Sequence, residues 1–361
     1  MGRLIVVENP NNDRLNSVLA FALDGVAHER VPVSEAVSRL RGERVLFALS
    51  LSEHGLDAEL CALIAALRQN PTAMEGSIGA MLVDGAGELY TKQMADMLAF
   101  AANGAGCLFP GKPLVEATAS LDNWRVQASR RNVEPAEAYT QSARELVQRL
   151  ASCAPKQTDR PKVLLLHASD RSTSNTLQIG SAIAARLEND CDIREISLQN
   201  GAIYDCRGCS YTTCAHFARQ NSCFYGGVIT NDVYPAINEC DALLLLCPNY
   251  NDSVSANILA FINRLTSVLV YNSLYDKYLY SIIVSGYSGG DLIAQQVLGA
   301  LCLNKTFMLP PRFAFLQTAN NPGEAMEAEG ILERIDAFAE QMRNTMCTPS
   351  GGTGLAKQHV T

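Results

Sequence analysis

Short apolar runs alternate with stretches of helical period along most of this chain. That is the pattern of parallel strands buried between helices. In the second half the strand segments are Lys162–His167, Asp192–Ser197, Ala242–Cys247, Tyr278–Ser285 and Arg312–Leu316. Helical segments lie between and after them, at Thr176–Glu188, Asp232–Asn238, Ser255–Val268, Asp291–Leu303 and Glu324–Asn344. Five strands with crossing helices imply an α/β doubly wound parallel sheet, whose ligands sit beyond the carboxyl ends of the strands.

The first half repeats the plan. Residues 45–67 align without a gap onto 243–265, at an offset of 198, with apolar positions in step. Ala58 falls on Ala256, Ala62 on Ala260 and Leu67 on Leu265. Leu4–Val7 resembles Val163–Leu166, and Gly79–Ala86 resembles Ser281–Ser288. Two strand–loop–helix units also look alike without common origin, but the ungapped run favours a duplicated fold of two tandem five-stranded sheets. The copies differ where ligands bind: the first has SLSEHG where the second has PNYNDS, and it lacks an insertion rich in cysteine. The expected boundaries are a first domain at 1–152, closed by helix Pro135–Ala151, a polar linker at 153–161, and a second domain at 162–345. The cysteine-bearing insertion spans 204–226, and a glycine-rich tail at 346–361 is expected to be disordered.

Composition narrows the function. Apolar residues make up 48% and charged ones 18% of 361, enough for real cores and too little charge for disorder. A net charge of −8 with no basic cluster argues against nucleic acid or an anionic membrane as partner. No stretch approaches the ~20 apolar residues of a membrane span, and the N-terminal MGRLIVVENP lacks the core and cleavage site of a secretion signal. A cytoplasmic protein is the expectation, with its 12 cysteines reduced and serving metal, redox chemistry or packing.

Three loops follow strands of the second half. Ala168–Thr176, ASDRSTSNT, opens a helix whose N-terminal N–H groups suit a phosphate. Ser169, Ser174 and Thr176 add hydroxyls, Asn175 an amide and Arg171 a charge; an ordinary capped turn has the same residues. Pro248–Ser253, PNYNDS, offers Tyr250 to one face of a planar ring. Ser285–Gly290, SGYSGG, allows close backbone approach and offers Tyr287. All three fall at one edge of one sheet.

Together, S-x-R-x-x-S-N-T, P-x-Y-x-x-S-V-S-A and S-G-x-x-G resemble the NADPH-dependent FMN reductase and iron–sulfur flavoprotein branch of the flavodoxin-like superfamily, over roughly residues 162–320. The resemblance implies two flavodoxin-like domains, the first degenerate. It implies that Ser169, Arg171, Ser174, Asn175 and Thr176 hold an FMN phosphate. Pro248, Asn249, Tyr250, Asn251, Asp252 and Ser253 would line the isoalloxazine, and Ser285, Gly286, Tyr287, Ser288 and Gly289 would close its other edge. Ser174 stands where the family has glycine.

Cys206, Cys209, Cys214 and Cys223 lie within 18 residues, where an even spread would place fewer than one. Four soft thiolates suit a [4Fe–4S] cluster, zinc is a second option, and a metal-free redox loop a third. The spacing C-x2-C-x4-C departs from the tighter C-x2-C-x2-C of iron–sulfur flavoproteins. The remaining cysteines, Cys240 and Cys247 among them, read as small core residues. His167 ends a strand beside the first loop, where it could touch a cofactor, though a packing role is the favoured reading.

The expectation is an FMN-dependent NAD(P)H oxidoreductase passing electrons to a small-molecule or protein acceptor, with no protein side chain required as acid or base. An electron-transfer module with FMN and [4Fe–4S] is the alternative, and a flavin-binding or scaffold protein without chemistry is a third. The first domain is expected to stand in for a second subunit, giving an internal pseudo-dimer or a homo-oligomer.

Overall fold

The computed structural model describes residues 3–9, 12–169, 173–198 and 203–349. The first domain runs β1 (Leu4–Glu8), α1 (Asp13–Ala22), β2 (His28–Pro32), β3 (Arg44–Leu51), α2 (Ala58–Gln69), β4 (Ile78–Gly85), α3 (Thr91–Gly104), β5 (Leu114–Ala117), α4 (Arg125–Arg131) and α5 (Pro135–Ser152). The second runs β6 (Lys162–His167), α6 (Asn175–Leu187), β7 (Asp192–Ser197), α7 (Tyr211–Ala218), α8 (Tyr234–Glu239), β8 (Ala242–Pro248), α9 (Ala256–Arg264), β9 (Tyr278–Ser285), α10 (Gly290–Leu298), β10 (Ala314–Thr318) and α11 (Ile331–Met346).

Each domain holds one sheet of five parallel strands, ordered β2-β1-β3-β4-β5 and β10-β9-β8-β6-β7. Read from the other edge, the second order is the first. These are two tandem flavodoxin-like α/β domains. Their central strands are buried on both faces, which is why they read as continuous apolar runs rather than alternating ones.

In the second sheet, β6, β7 and β9 have the predicted bounds, and β8 extends one residue to Pro248. The last strand starts two residues later than expected. Four predicted helices break up. Residues 229–233 and 299–303 form wide π-type turns, Val268–Val270 is a separate 3-10 turn after α9, and Glu324–Glu327 is a 3-10 turn separate from α11. Helix α7, inside the cysteine insertion, was not expected. The duplication also needs a register correction. Arg44 pairs with Ile78, and its counterpart Ala242 pairs with Tyr278, so Gly79 matches Leu279 rather than Ser281. A two-residue slip keeps every side chain on its own face, so the apolar pattern could not reveal it.

The domains share a core. One apolar cluster runs from Phe47, Leu98 and Phe109 through Leu301, Phe307 and Phe313. Buried Asn103 in α3 donates to the Pro310 carbonyl at 2.7 Å and accepts the Phe313 N–H at 3.1 Å. Arg312 reaches back to Glu75 at 2.5 Å. Segment 153–161 is also tied down: Thr158 donates its N–H to the Met346 carbonyl at the end of α11 and accepts the Thr348 N–H. Residues 350–361, most of the expected tail, lie outside the described residues. Among the described residues no helix is long and apolar enough to cross a membrane.

Candidate functional site

The strand order of the second sheet reverses between β6 and β8. At their carboxyl ends lies a cavity of about 530 Å³, within the usual range for a small-molecule site. Its walls come from the loops after β6, β8, β9 and β10.

The loop after β6 brings Ser169, Ser174, Asn175 and Thr176 to the cavity, together with Thr173, while Arg171 lies outside the described residues. Ser174 caps α6, accepting the Leu177 N–H. Its hydroxyl also sits 3.0 Å from those of Ser169 and Thr176. The result is a chain of hydroxyls across a helix N-terminus, where donors and the helix dipole favour an anion. His167 is buried below. Its Nδ1 accepts the Ser169 N–H at 3.1 Å, so Nε2 carries the proton and donates to Glu195 at 3.1 Å. It shapes the loop and does not line the cavity.

Asn175 plays a different part from the one expected. Its amide donates to the Asn321 carbonyl at 2.9 Å and its Oδ1 accepts the Ala325 N–H at 3.1 Å. The side chain staples the loop after β10 against α6 and is committed to the backbone. That loop supplies Ala319, Asn320 and Pro322, wall residues the sequence reading missed. The polar run TANNPG after the last strand was the available signal.

After β8, Pro248, Asn249 and Tyr250 line the cavity, but Asn251, Asp252 and Ser253 do not. Those three fold into a tight turn. Tyr250 and Ser253 exchange backbone bonds, and Asn251 and Asp252 take left-handed backbone with φ of 53° and 58°. Asn249 holds the turn by accepting the Asp252 N–H at 2.8 Å, then reaches Ser285 Oγ and the Ser288 carbonyl, each at 3.2 Å. Two loops are thereby latched by one amide. After β9 only Gly286 lines the cavity, while Ser285, Tyr287, Ser288 and Gly289 do not. Gly289 must be glycine: its φ is +86°, and a Cβ there would meet Asp252 Oδ1 at 2.2 Å. Tyr250 and Tyr287 stand out from these loops, 60% and 81% exposed, as large apolar surfaces left open to a planar group.

The equivalent crevice of the first sheet is filled by its own side chains, although a cavity of about 350 Å³ remains beside it at the ends of β1 and β2. Asp84 ends β4 fully buried, at the position of Val284. Arg14 grips it with Nε and Nη2, both at 2.8 Å, while Asn12 adds a donor at 2.8 Å and Tyr139 one at 3.2 Å. That bond and the adjacent charge raise the Arg14 pKa. The loop before α1 is also shorter, residues 9–12 against 168–174. Asn12, Arg14 and Tyr139 thus fill a part of this edge that is open in the second sheet.

Cys206, Cys209, Cys214 and Cys223 all line a second cavity of about 570 Å³. Arg264 of α9 is buried behind it, donating to the Tyr204 and Gly226 carbonyls at 3.2 and 2.7 Å, with Nε unpartnered. Burial, then the neighbouring thiols, pushes Cys214 up. The expected metal set is not formed: among the described residues no three His, Cys, Asp or Glu side chains are arranged to hold a metal ion. Cys214 sits on helix α7, and Cys209 makes its sulfur contact with the Tyr225 hydroxyl at 3.9 Å.

Fold and crevice together define a flavodoxin-like domain with a cavity at its switch point. Residues 161–320 match the family model of NADPH-dependent FMN reductase. Among solved structures, an NAD(P)H:quinone oxidoreductase from Methanothermobacter marburgensis is 14% identical, with a TM-score of 0.41, covering 51% of this chain and 96% of its own. An azoreductase from Bacillus anthracis is 14% identical, with a TM-score of 0.34 over 51% and 97%. Flavodoxin 1 from Bacillus cereus is 11% identical, with a TM-score of 0.33 over 51% and 99%. No curated protein matches.

Proposed function

We propose that the second domain binds FMN in the crevice between β6 and β8 and that the chain is an NAD(P)H-dependent flavin oxidoreductase. The observation that carries this reading is the hydroxyl chain Ser169–Ser174–Thr176 at the α6 N-terminus, opening into a cavity whose neighbouring loops present Tyr250 and Tyr287. A phosphate ester fits the first feature, and a planar ring system fits the second. Bound FMN would supply the hydride chemistry; the protein would position it and tune its potential. The hydroxyls and α6 would hold the phosphate. Asn249 would keep the two ring-facing loops in register. The filled crevice of the first sheet suits a partner domain that supports the site without a flavin of its own.

The second reading adds an iron–sulfur cluster, which would couple flavin chemistry to single-electron transfer. It is favoured by four thiols lining one cavity in front of a buried guanidinium, a donor set and a countercharge suited to an anionic cluster. Forming it requires the insertion to draw the four sulfurs together and the thiols to lose their protons.

One sample decides between these readings. Protein purified without oxygen is scanned from the ultraviolet to the visible, with flavin, iron and acid-labile sulfide assayed together. Flavin at one per chain, NAD(P)H oxidation and no iron support the simple reductase. About four irons per chain support the cluster. Absence of flavin after incubation with FMN overturns both and leaves a scaffold protein.

A further inference from the structure

Away from both sheet crevices, the two domains enclose a cavity of about 830 Å³. The first domain contributes α3, α4, α5 and the start of β5. The second contributes α10, the turn after it and Tyr275. The first domain sets four cations in this wall: Lys92, Lys112, Arg131 and Arg149.

Two of the four are neutralised. Lys92 lies 3.5 Å from Glu116, and Arg131 lies 3.0 Å from Glu145. Lys112 and Arg149 form no ion pair among the described residues. Arg149 donates Nη2 to the Lys112 carbonyl at 3.0 Å and stands 5.9 Å from the Tyr275 ring centre, while its buried Nε has no partner. Lys112 takes left-handed backbone, φ 53°, and its N–H donates to Cys302 of the other domain at 3.0 Å. The joint between the domains therefore fixes the Lys112 backbone at the rim of the cavity. Burial, then the charge of Arg149, lowers the Lys112 pKa. Like charges held together in a half-buried cavity repel, and a bound anion relieves that repulsion.

The opposite wall is not simply repulsive to such a ligand. Asp96 has a buried Oδ1 without a partner, and Gly299 leaves it room, since a Cβ there would stand 3.3 Å away. Burial pushes this carboxyl up to about 7, so near neutrality it also exists as a donor. Tyr275 offers a partly exposed aromatic face. The volume is that of a nucleotide-sized ligand rather than a lone ion.

We propose that the interdomain cavity binds a phosphate-bearing ligand of nucleotide size, with its phosphates on Lys112 and Arg149 and its base against Tyr275. The site is separate from the proposed flavin crevice and stands whether or not that crevice holds FMN.

The test is calorimetric titration of the full chain, with FMN added to saturation, using ADP, inorganic pyrophosphate and adenosine as probes. ADP and pyrophosphate are expected to bind once per chain, and adenosine roughly tenfold or more weaker. The double variant Lys112→Gln/Arg149→Gln should weaken both phosphate probes by about tenfold or more. Tyr275→Ala should weaken ADP and leave pyrophosphate unchanged, which keeps the proposal testable if the double variant folds poorly. Undetectable binding of ADP and pyrophosphate at millimolar concentration overturns the site. So does equal affinity in wild type and variants, because binding would then lie elsewhere.

Discussion

Phe109 and Leu309 hydrogen-bond each other reciprocally across the two domains, N–H to carbonyl at 2.9 and 2.8 Å. The residues before them, Leu108 and Met308, bridge to Ile78 and Tyr278, which hold matching positions at the start of β4 and β9. A contact in which each residue meets its own counterpart is the mark of a two-fold axis. Here the axis relates two halves of one chain, and α3 packs on its counterpart α10 beside it.

The polar centre of this joint is Asn103, whose side chain bonds Pro310, Phe313 and Cys107 in a buried setting. Asn103→Ala strands two carbonyls and an N–H. The expected loss is about 2–3 kcal/mol of unfolding free energy, read in denaturant. An unchanged midpoint would show that the domains are held by apolar packing alone.

In the first crevice, Arg14→Ala leaves the Asp84 carboxylate buried with only Asn12 and Tyr139 as donors. The variant should lose about 2–3 kcal/mol, less than for a wholly buried pair because Arg14 is partly exposed. Adding Asp84→Asn should recover part of the loss. Failure of the second change to help would mean that Arg14 acts by packing.

Gly289→Ala brings a Cβ into Asp252 and forces alanine to a φ of +86°. The latch between the loops after β8 and β9 should open, with FMN affinity falling roughly tenfold or more and a stability loss of about 1–3 kcal/mol. Flavin fluorescence on titration reads the first, and thermal denaturation the second. Wild-type flavin affinity in a folded variant would remove these loops from the flavin site.

Asp96 predicts a pH dependence. Its carboxyl is raised from 3.8 to about 7 by burial, so the folded chain holds this proton between those values and the unfolded chain does not. Stability from this group therefore declines as pH rises from about 4 to 7, by at most about 4 kcal/mol. Asp96→Asn should flatten that decline and be more stable than wild type at pH 8. Parallel pH profiles for the two proteins would refute the assignment.

Much of this was legible in the sequence. The central strands of the second domain are buried on both faces, so continuous apolar runs such as Leu243–Cys247 gave their positions directly. The ungapped match of 45–67 with 243–265 revealed the duplication, and loops placed after strands marked the crevice edge. What periodicity could not carry was register within a face, the two-residue slip of β4 being silent to it. It could not show which polar side chains are already spent, as Asn175 is on the loop after β10 and Arg14 on Asp84. Nor could it place Lys112 beside Tyr275, residues far apart in the chain. Local sequence determines which segments form strands and helices, because burial and backbone preference act over a few residues. Partnership among polar groups, and any cavity between two domains, depends on contacts made only after the sheets have packed, so the tertiary structure alone decided them.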